Sequence, residues 1–252
     1  MLKKSLKVVD LFSGCGGISK GFEQAGYETL LGVDNWSDAL DTFKINHKNS
    51  KVINGDIFKI NGEYIKQVIN NKKIDVIVGG PPCQGFSLAG KREEKDKRNL
   101  LVFHFAKLIS ELKPKAFVME NVLGILSMAE GKIKNDLLKE FKKIGYMVPE
   151  PRALYTHHYG VPQLRRRVLF IGIREDFKKI PSYPTPTHYD KETNQLDLIP
   201  NEVKPTVTVG EAISDLPLLN DWPGEEIMDY TTLPQSEYQK EMRKNSTKLY
   251  NH

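Results

Sequence analysis

Short β-branched runs alternate with stretches of helical periodicity through the first two-thirds of the chain, and this alternation constrains the fold most. Lys7-Val8-Val9-Asp10-Leu11-Phe12 reads as a buried strand, followed by a glycine cluster and a helix from about Ser19 to Ala25, ended by Gly26. Thr29 to Val33 is a second strand, leading into a helix through Ala39 and Phe43, and Val52-Ile53 is a short third strand. Asp75 to Val78 and Ala116 to Met119 are the fourth and fifth strands, with a helix over Leu100 to Leu112 between them. A helix from about Lys134 to Ile144 and a strand over Val168 to Ile173 follow. Strands that alternate with helices predict an α/β fold: a doubly wound, mostly parallel sheet covered on both faces.

The texture changes near Pro181. Pro181, Pro184, Pro186, Pro200 and Pro205 fall in a polar stretch of loop-like composition. Val209 to Leu216 suggests a short helix stopped by Pro217, and the last thirty or so residues carry few apolar anchors. The expected division is therefore a catalytic, cofactor-binding domain over 1–180 and a linker with the start of a smaller region over 181–252. Residues 221–252 are expected to be poorly anchored. With 39% hydrophobic and 27% charged residues in 252, the composition is globular rather than disordered, and long enough for a real core. No apolar run approaches the ~18 residues of a membrane span, and MLKKSLK leads straight into the first strand, so no signal peptide is expected. Two cysteines, Cys15 and Cys83, read as reduced thiols of an intracellular, cytoplasmic protein. The net charge of +5 permits an anionic partner.

Three loops at the expected carboxyl ends of the strands carry chemistry. In Asp10-Leu11-Phe12-Ser13-Gly14-Cys15-Gly16-Gly17, glycines let the backbone turn tightly and approach a ligand. The segment is not a P-loop, because no Gly-Lys-Ser/Thr follows, and Ser19 stands where a dinucleotide fingerprint wants its last glycine. Asp34 ends the second strand at the usual place for a carboxylate that accepts from ribose hydroxyls, and Asp56 is a further acid on the same edge. These residues point to a nucleoside cofactor without choosing one.

Gly79-Gly80-Pro81-Pro82-Cys83-Gln84-Gly85-Phe86-Ser87 follows the fourth strand and puts Cys83 on the same rim in a stiff loop, as a nucleophile. Cys15 keeps the ordinary reading of a small hydrophobe. A P-C-x-x-C zinc site is excluded because Phe86 occupies the second cysteine position. None of the six histidines has metal spacing with a cysteine; His157-His158 reads as a local loop feature, and no metal is expected. Glu120-Asn121-Val122 caps the fifth strand facing the same crevice. In Gln163-Leu164-Arg165-Arg166-Arg167, alternation along an extended segment puts Arg165 and Arg167 on one face, suited to phosphate or developing negative charge. The mixed-charge run Lys91 to Arg98 reads as a solvated loop that could close over a substrate.

Taken together, DLFSGCGG, GGPPCQGFS, MENV and PQLRRR resemble, in order and spacing, the DNA cytosine-5 methyltransferase family, over roughly residues 5–220. The resemblance implies a Rossmann-like methyltransferase fold, S-adenosylmethionine as cofactor and double-stranded DNA as substrate, as in restriction-modification systems. It implies cofactor contacts from Phe12, Gly14, Gly17, Asp34, Asp56, Ile57, Gly80, Pro82 and Leu100, and from Asn35, where family members carry an aromatic. It implies that Cys83 attacks C6 of a flipped-out cytosine, that Glu120 holds N3, that Arg165 contacts the base carbonyl, and that Asn121 and Arg167 support the site.

The family has a further DNA-reading region and two more blocks that are not recognisable before His252. The chain is therefore expected to be a subunit of a split enzyme whose second protein chain carries target recognition, a truncated form, or a degenerate member; the intact catalytic residues speak against the last. Two other classes remain distinct. A non-catalytic cofactor- or DNA-binding module would tolerate loss of Cys83, and a nicotinamide-dependent oxidoreductase would leave Cys83, Glu120 and Arg165 without a joint role. RNA is an alternative polymer for the same chemistry.

Overall fold

The computed structural model describes residues 5–82, 100–190, 203–218 and 224–250; Cys83, the rest of its loop through Ser87 and the Lys91–Arg98 run lie outside the described residues. By internal contacts the chain forms two compact units, Met1–Ala153 with Arg167–Tyr183, and Leu154–Arg166 with Pro184–His252. A single boundary near Pro181 does not include the excursion of residues 154–166 into the second unit.

The first unit is the alternating α/β part. In order it contains β1 (Lys7–Leu11), α1 (Gly17–Gln24), β2 (Glu28–Asp34), α2 (Ser37–Asn46), β3 (Lys51–Asn54), α3 (Gly62–Val68), β4 (Val76–Gly79), α4 (Leu100–Leu112), β5 (Ala116–Asn121), α5 (Gly124–Ser127), α6 (Lys132–Lys143), β6 (Tyr146–Met147), β7 (Arg152–Tyr155) and β8 (Arg166–Arg174), the last two shared in part with the second unit. The sheet order is β3-β2-β1-β4-β5-β8-β6. From β3 to β5 neighbouring strands are parallel, and β8 is antiparallel to both β5 and β6.

Each face of this sheet has its own cover. Val8, Val76 and Val78 point to one side and pack with Ile18 and Phe22 of α1. Val9, Leu11, Ile77, Phe117 and Met119 point to the other and join Phe105 and Leu108 of α4 with Leu137 and Phe141 of α6. Burial on both faces is why β4 is an apolar run and β1 is buried at every position after Lys7, Asp10 included, rather than alternating. The strand order reverses between β1 and β4, and such a switch point opens a crevice at the strands' carboxyl ends.

Several local expectations differ from the structure. Glu120 and Asn121 lie within β5 rather than capping it, because β8 continues the ladder opposite them, Glu120 against Leu169 and Asn121 against Val168. The short helix α3 was not anticipated; Asn61 caps it by accepting from the Tyr64 N–H at 2.9 Å. Cys15 is exposed in the turn before α1, not a buried hydrophobe, because the loop lifts it off the sheet.

The second unit contains β9 (His188–Tyr189), β10 (Lys204–Pro205), α7 (Val209–Ile213), β11 (Ile227–Met228), α8 (Glu237–Met242) and β12 (Leu249–Tyr250). A capping box between Thr208 and Glu211 starts α7, and Ser236 caps α8. Within residues 224–250 the contacts to the rest of this unit include a polar cluster around Arg243. The Arg243 guanidinium pairs with the buried Asp215 carboxylate (Nε–Oδ2 2.6 Å), donates through Nη1 to the Thr232 carbonyl at 2.8 Å, and lies 3.7 Å from the Tyr230 ring centroid. Among the described residues no helix is long and apolar enough to cross a membrane.

Candidate active site

The glycine loop after β1 is shaped by its contacts with the second and first strands. Gly14 adopts φ 51° and donates its N–H to Asp34 Oδ2 at 2.8 Å. Phe12 has φ 63°, a left-handed conformation that an aromatic residue adopts only when its surroundings impose it. Gly16, at φ 91°, precedes the helix; a Cβ there would lie 2.3 Å from the His47 ring, so the position needs glycine for both reasons. Ser19 is buried in α1 and donates to Asp10 Oδ2 at 2.7 Å, which explains a serine at the position where a dinucleotide fingerprint has glycine.

Asp10 lies fully buried beneath this loop, and its other carboxylate oxygen has no hydrogen-bond partner among the described residues. Desolvation pushes its carboxyl up to about 7, against the lowering pull of the Ser19 hydrogen bonds.

A cleft of about 340 Å³ opens at the carboxyl ends of β1, β2 and β3. Phe12, Val33, Ile57, Pro82 and Leu101 supply apolar walls, and Asp34, Asn35, Gly55, Asp56 and Phe58 complete the lining. Asp34 is held by backbone: besides Gly14, its Oδ1 accepts from the N–H groups of Asn35 (2.8 Å) and Trp36 (3.0 Å). Asp56 caps the following 3₁₀ turn by accepting from Phe58 N–H at 3.0 Å. Val33, Gly55, Phe58 and Leu101 were missed from sequence. Leu100, the expected contact, is 55% exposed, whereas Leu101 shares the buried helix face of Phe105, Leu108 and Leu112 and lines the cleft. Helical phase was the signal that distinguishes the two.

The cleft suits a nucleoside with a polar tail. Its volume is in the range of small-molecule sites, which combine apolar walls with a few fixed polar groups. A Cβ at Gly14 or Gly17 would meet nothing within 4 Å.

Around the end of β4, Gly80, Glu120, Asn121 and Arg167 come together. Gly80 lets Glu120 come close: a Cβ there would lie 3.2 Å from Glu120 Oε2. Asn121 is buried, donates through Nδ2 to the Pro81 carbonyl at 3.0 Å, and so ties β5 to the Pro81-Pro82 segment that leads to Cys83. Arg167 Nε lies 2.7 Å from Glu120 Oε1, both side chains being about a quarter exposed (27% and 28%). The resemblance gives Arg165 the contact with the base carbonyl and Arg167 a supporting role; of the two, Arg167 is the one paired with Glu120. Arg165 belongs to the second unit, in a turn where its N–H donates to the Gln163 carbonyl at 3.0 Å and its carbonyl accepts from Thr156 N–H at 2.9 Å. The regular alternation expected of residues 165 and 167 therefore starts only at Arg166, where β8 begins.

Residues 6–251 match the family described as C-5 cytosine-specific DNA methylase. The Type II methyltransferase M.DdeI of Desulfomicrobium norvegicum is 41% identical over 250 residues, covering 98% of this chain and 57% of the relative. M.AquIA of Picosynechococcus sp., also a Type II methyltransferase, is 39% identical over 222 residues, covering 84% of this chain and 89% of the relative. A crystal structure of a DNA modification methyltransferase encoded within an E. coli prophage superposes with a TM-score of 0.74 at 33% identity, covering 90% of this chain and 61% of that one. The chain thus spans less than two-thirds of the length of M.DdeI, and with this coverage and identity it belongs to the C-5 cytosine-specific DNA methylase family.

Proposed function

We propose that this chain carries the catalytic half of a DNA cytosine-5 methyltransferase, which transfers a methyl group from S-adenosylmethionine to C5 of a cytosine flipped out of double-stranded DNA. The observation that carries the reading is one crevice that has a nucleoside-sized cleft on one side of β4 and the Glu120–Arg167 pair on the other, joined by the Pro81-Pro82 segment that runs into Cys83.

When bound, S-adenosylmethionine supplies an electrophilic methyl group on a sulfonium. Phe12, Ile57 and Leu101 form walls for its apolar parts, Asp34 offers lone pairs to ribose hydroxyls, and the open space at Gly14 and Gly17 admits its amino-acid end. An aromatic C5 is too weak a nucleophile to take that methyl directly. The Cys83 thiolate adds to C6, which makes C5 an enamine carbon, and Glu120 holds N3 so that the charge pushed into the ring is stabilised. Arg167 fixes the carboxylate, and Arg165 contacts the base carbonyl. C5 takes the methyl group, a base removes the C5 proton, and the thiolate leaves C6. Extruding the base costs a few kcal/mol, offset inside the pocket.

Methyl transfer from labelled S-adenosylmethionine to mixed genomic DNA, read after digestion to nucleosides, should put label in 5-methylcytosine. Cys83→Ser should abolish transfer and leave cofactor binding intact. Transfer that survives Cys83→Ser, or label in another nucleoside, would sink the mechanism.

A further inference from the structure

In the second unit two histidines and a carboxylate converge from segments far apart in sequence. His157 Nε2 lies 3.5 Å from Asp190 Oδ1, and His158 Nε2 lies 3.5 Å from Asp190 Oδ2. One ligand atom from each residue falls within 4.8 Å of the others. A direct N–H···O bond spans about 2.7–3.2 Å, so these pairs are longer than good hydrogen bonds. Around a cation with ligands at about 2.1 Å, neighbouring tetrahedral ligands are about 3.4 Å apart, close to each of the two His–Asp190 separations, and the third pair lies within 4.8 Å.

The backbone holds this arrangement from both sides. The histidines sit on a 3₁₀ turn, Thr156–Tyr159, closed by Gly160 at φ 82°. The His158 carbonyl accepts from Thr187 N–H at 2.9 Å, and the Tyr159 hydroxyl donates to the Pro184 carbonyl at 3.0 Å. Gly160 admits the His188 ring, which a Cβ would approach to 2.7 Å. His157 is buried, and Nε2 is the ring nitrogen that it turns towards Asp190.

The geometry points to a divalent transition-metal site formed by His157, His158 and Asp190. Two imidazoles and one carboxylate favour zinc, nickel, cobalt or ferrous iron over magnesium or calcium, and leave a coordination position for water. The sequence reading of His157-His158 as a mere loop feature missed the third ligand, which lies 32 residues beyond His158. The cation would act on the neighbouring turn. Thr156 begins the same 3₁₀ turn, its N–H donates to the Arg165 carbonyl at 2.9 Å and its Oγ1 to the Gln163 carbonyl at 2.6 Å. Fixing the histidines therefore fixes the backbone that carries Arg165.

The test uses the full chain, stripped with a chelator and titrated with Zn²⁺ by calorimetry and with Co²⁺ by visible absorption. One equivalent should bind. His158→Gln and Asp190→Asn, each with an unchanged circular dichroism spectrum, should bind at least about tenfold more weakly. No stoichiometric binding by the unmodified chain, or undiminished binding by either folded variant, overturns the proposal.

Discussion

Asp10 shows how a single residue under a ligand loop shapes the protein's response to pH. Burial raises its carboxyl from an ordinary value of 3.8 to about 7, so the folded state prefers the protonated acid. The stabilising contribution is full below pH 3.8 and is lost as pH rises towards 7, because ionisation is then easier in the unfolded chain. Asp10→Asn keeps an acceptor for Ser19 and removes the charge. From pH 5 to pH 8 the urea midpoint should fall more for the wild-type chain than for the variant; equal pH dependence in both would refute the assignment. Glu120 and Arg167 work at the same scale. Their ion pair is local and rigid, since β5 and β8 are paired directly beside it.

Between elements, the site depends on how closely β1 and β4 approach at the switch point. Gly79 closes β4 where a Cβ would lie 2.2 Å from the Leu11 carbonyl oxygen, a backbone atom that cannot swing aside. Gly79→Ala should therefore destabilise the fold by more than about 2 kcal/mol, in the range of overpacked core sites. Gly17 opens α1 with nothing within 4 Å of a Cβ. Gly17→Ala should leave the thermal midpoint nearly unchanged while weakening S-adenosylmethionine binding, because the new methyl enters the space assigned to the cofactor. Thermal melts with and without cofactor separate the two effects, and a Gly17→Ala variant with undiminished binding would remove Gly17 from the site.

For the molecule as a whole, the two units are held together internally by different physics. The first buries apolar side chains on both faces of a sheet. The second, poorer in apolar residues, relies on capped short helices and the Asp215–Arg243 pair. Asp215 is 2% exposed, and removing one partner of a buried pair leaves the other charge uncompensated, at about 3–5 kcal/mol. Asp215→Ala should accelerate amide exchange across α7 and α8, and unchanged protection there would show that the pair is not what anchors residues 224–250.

The sequence by itself determined the alternating elements, the mostly parallel sheet and the placing of Asp34, Asp56, Glu120 and the cysteine motif at or just beyond the carboxyl ends of strands. Those features follow from local periodicity and from residues that only certain backbone conformations accept. Tertiary structure decided the pairings: Ser19 on Asp10, Arg167 on Glu120, Leu101 in the cleft wall, Asp215 on Arg243. It also decided the gathering of His157, His158 and Asp190. The physical reason is that strand register, helix phase and chain return set which distant side chains meet, and none of the three is encoded in the residue types at either end of a contact.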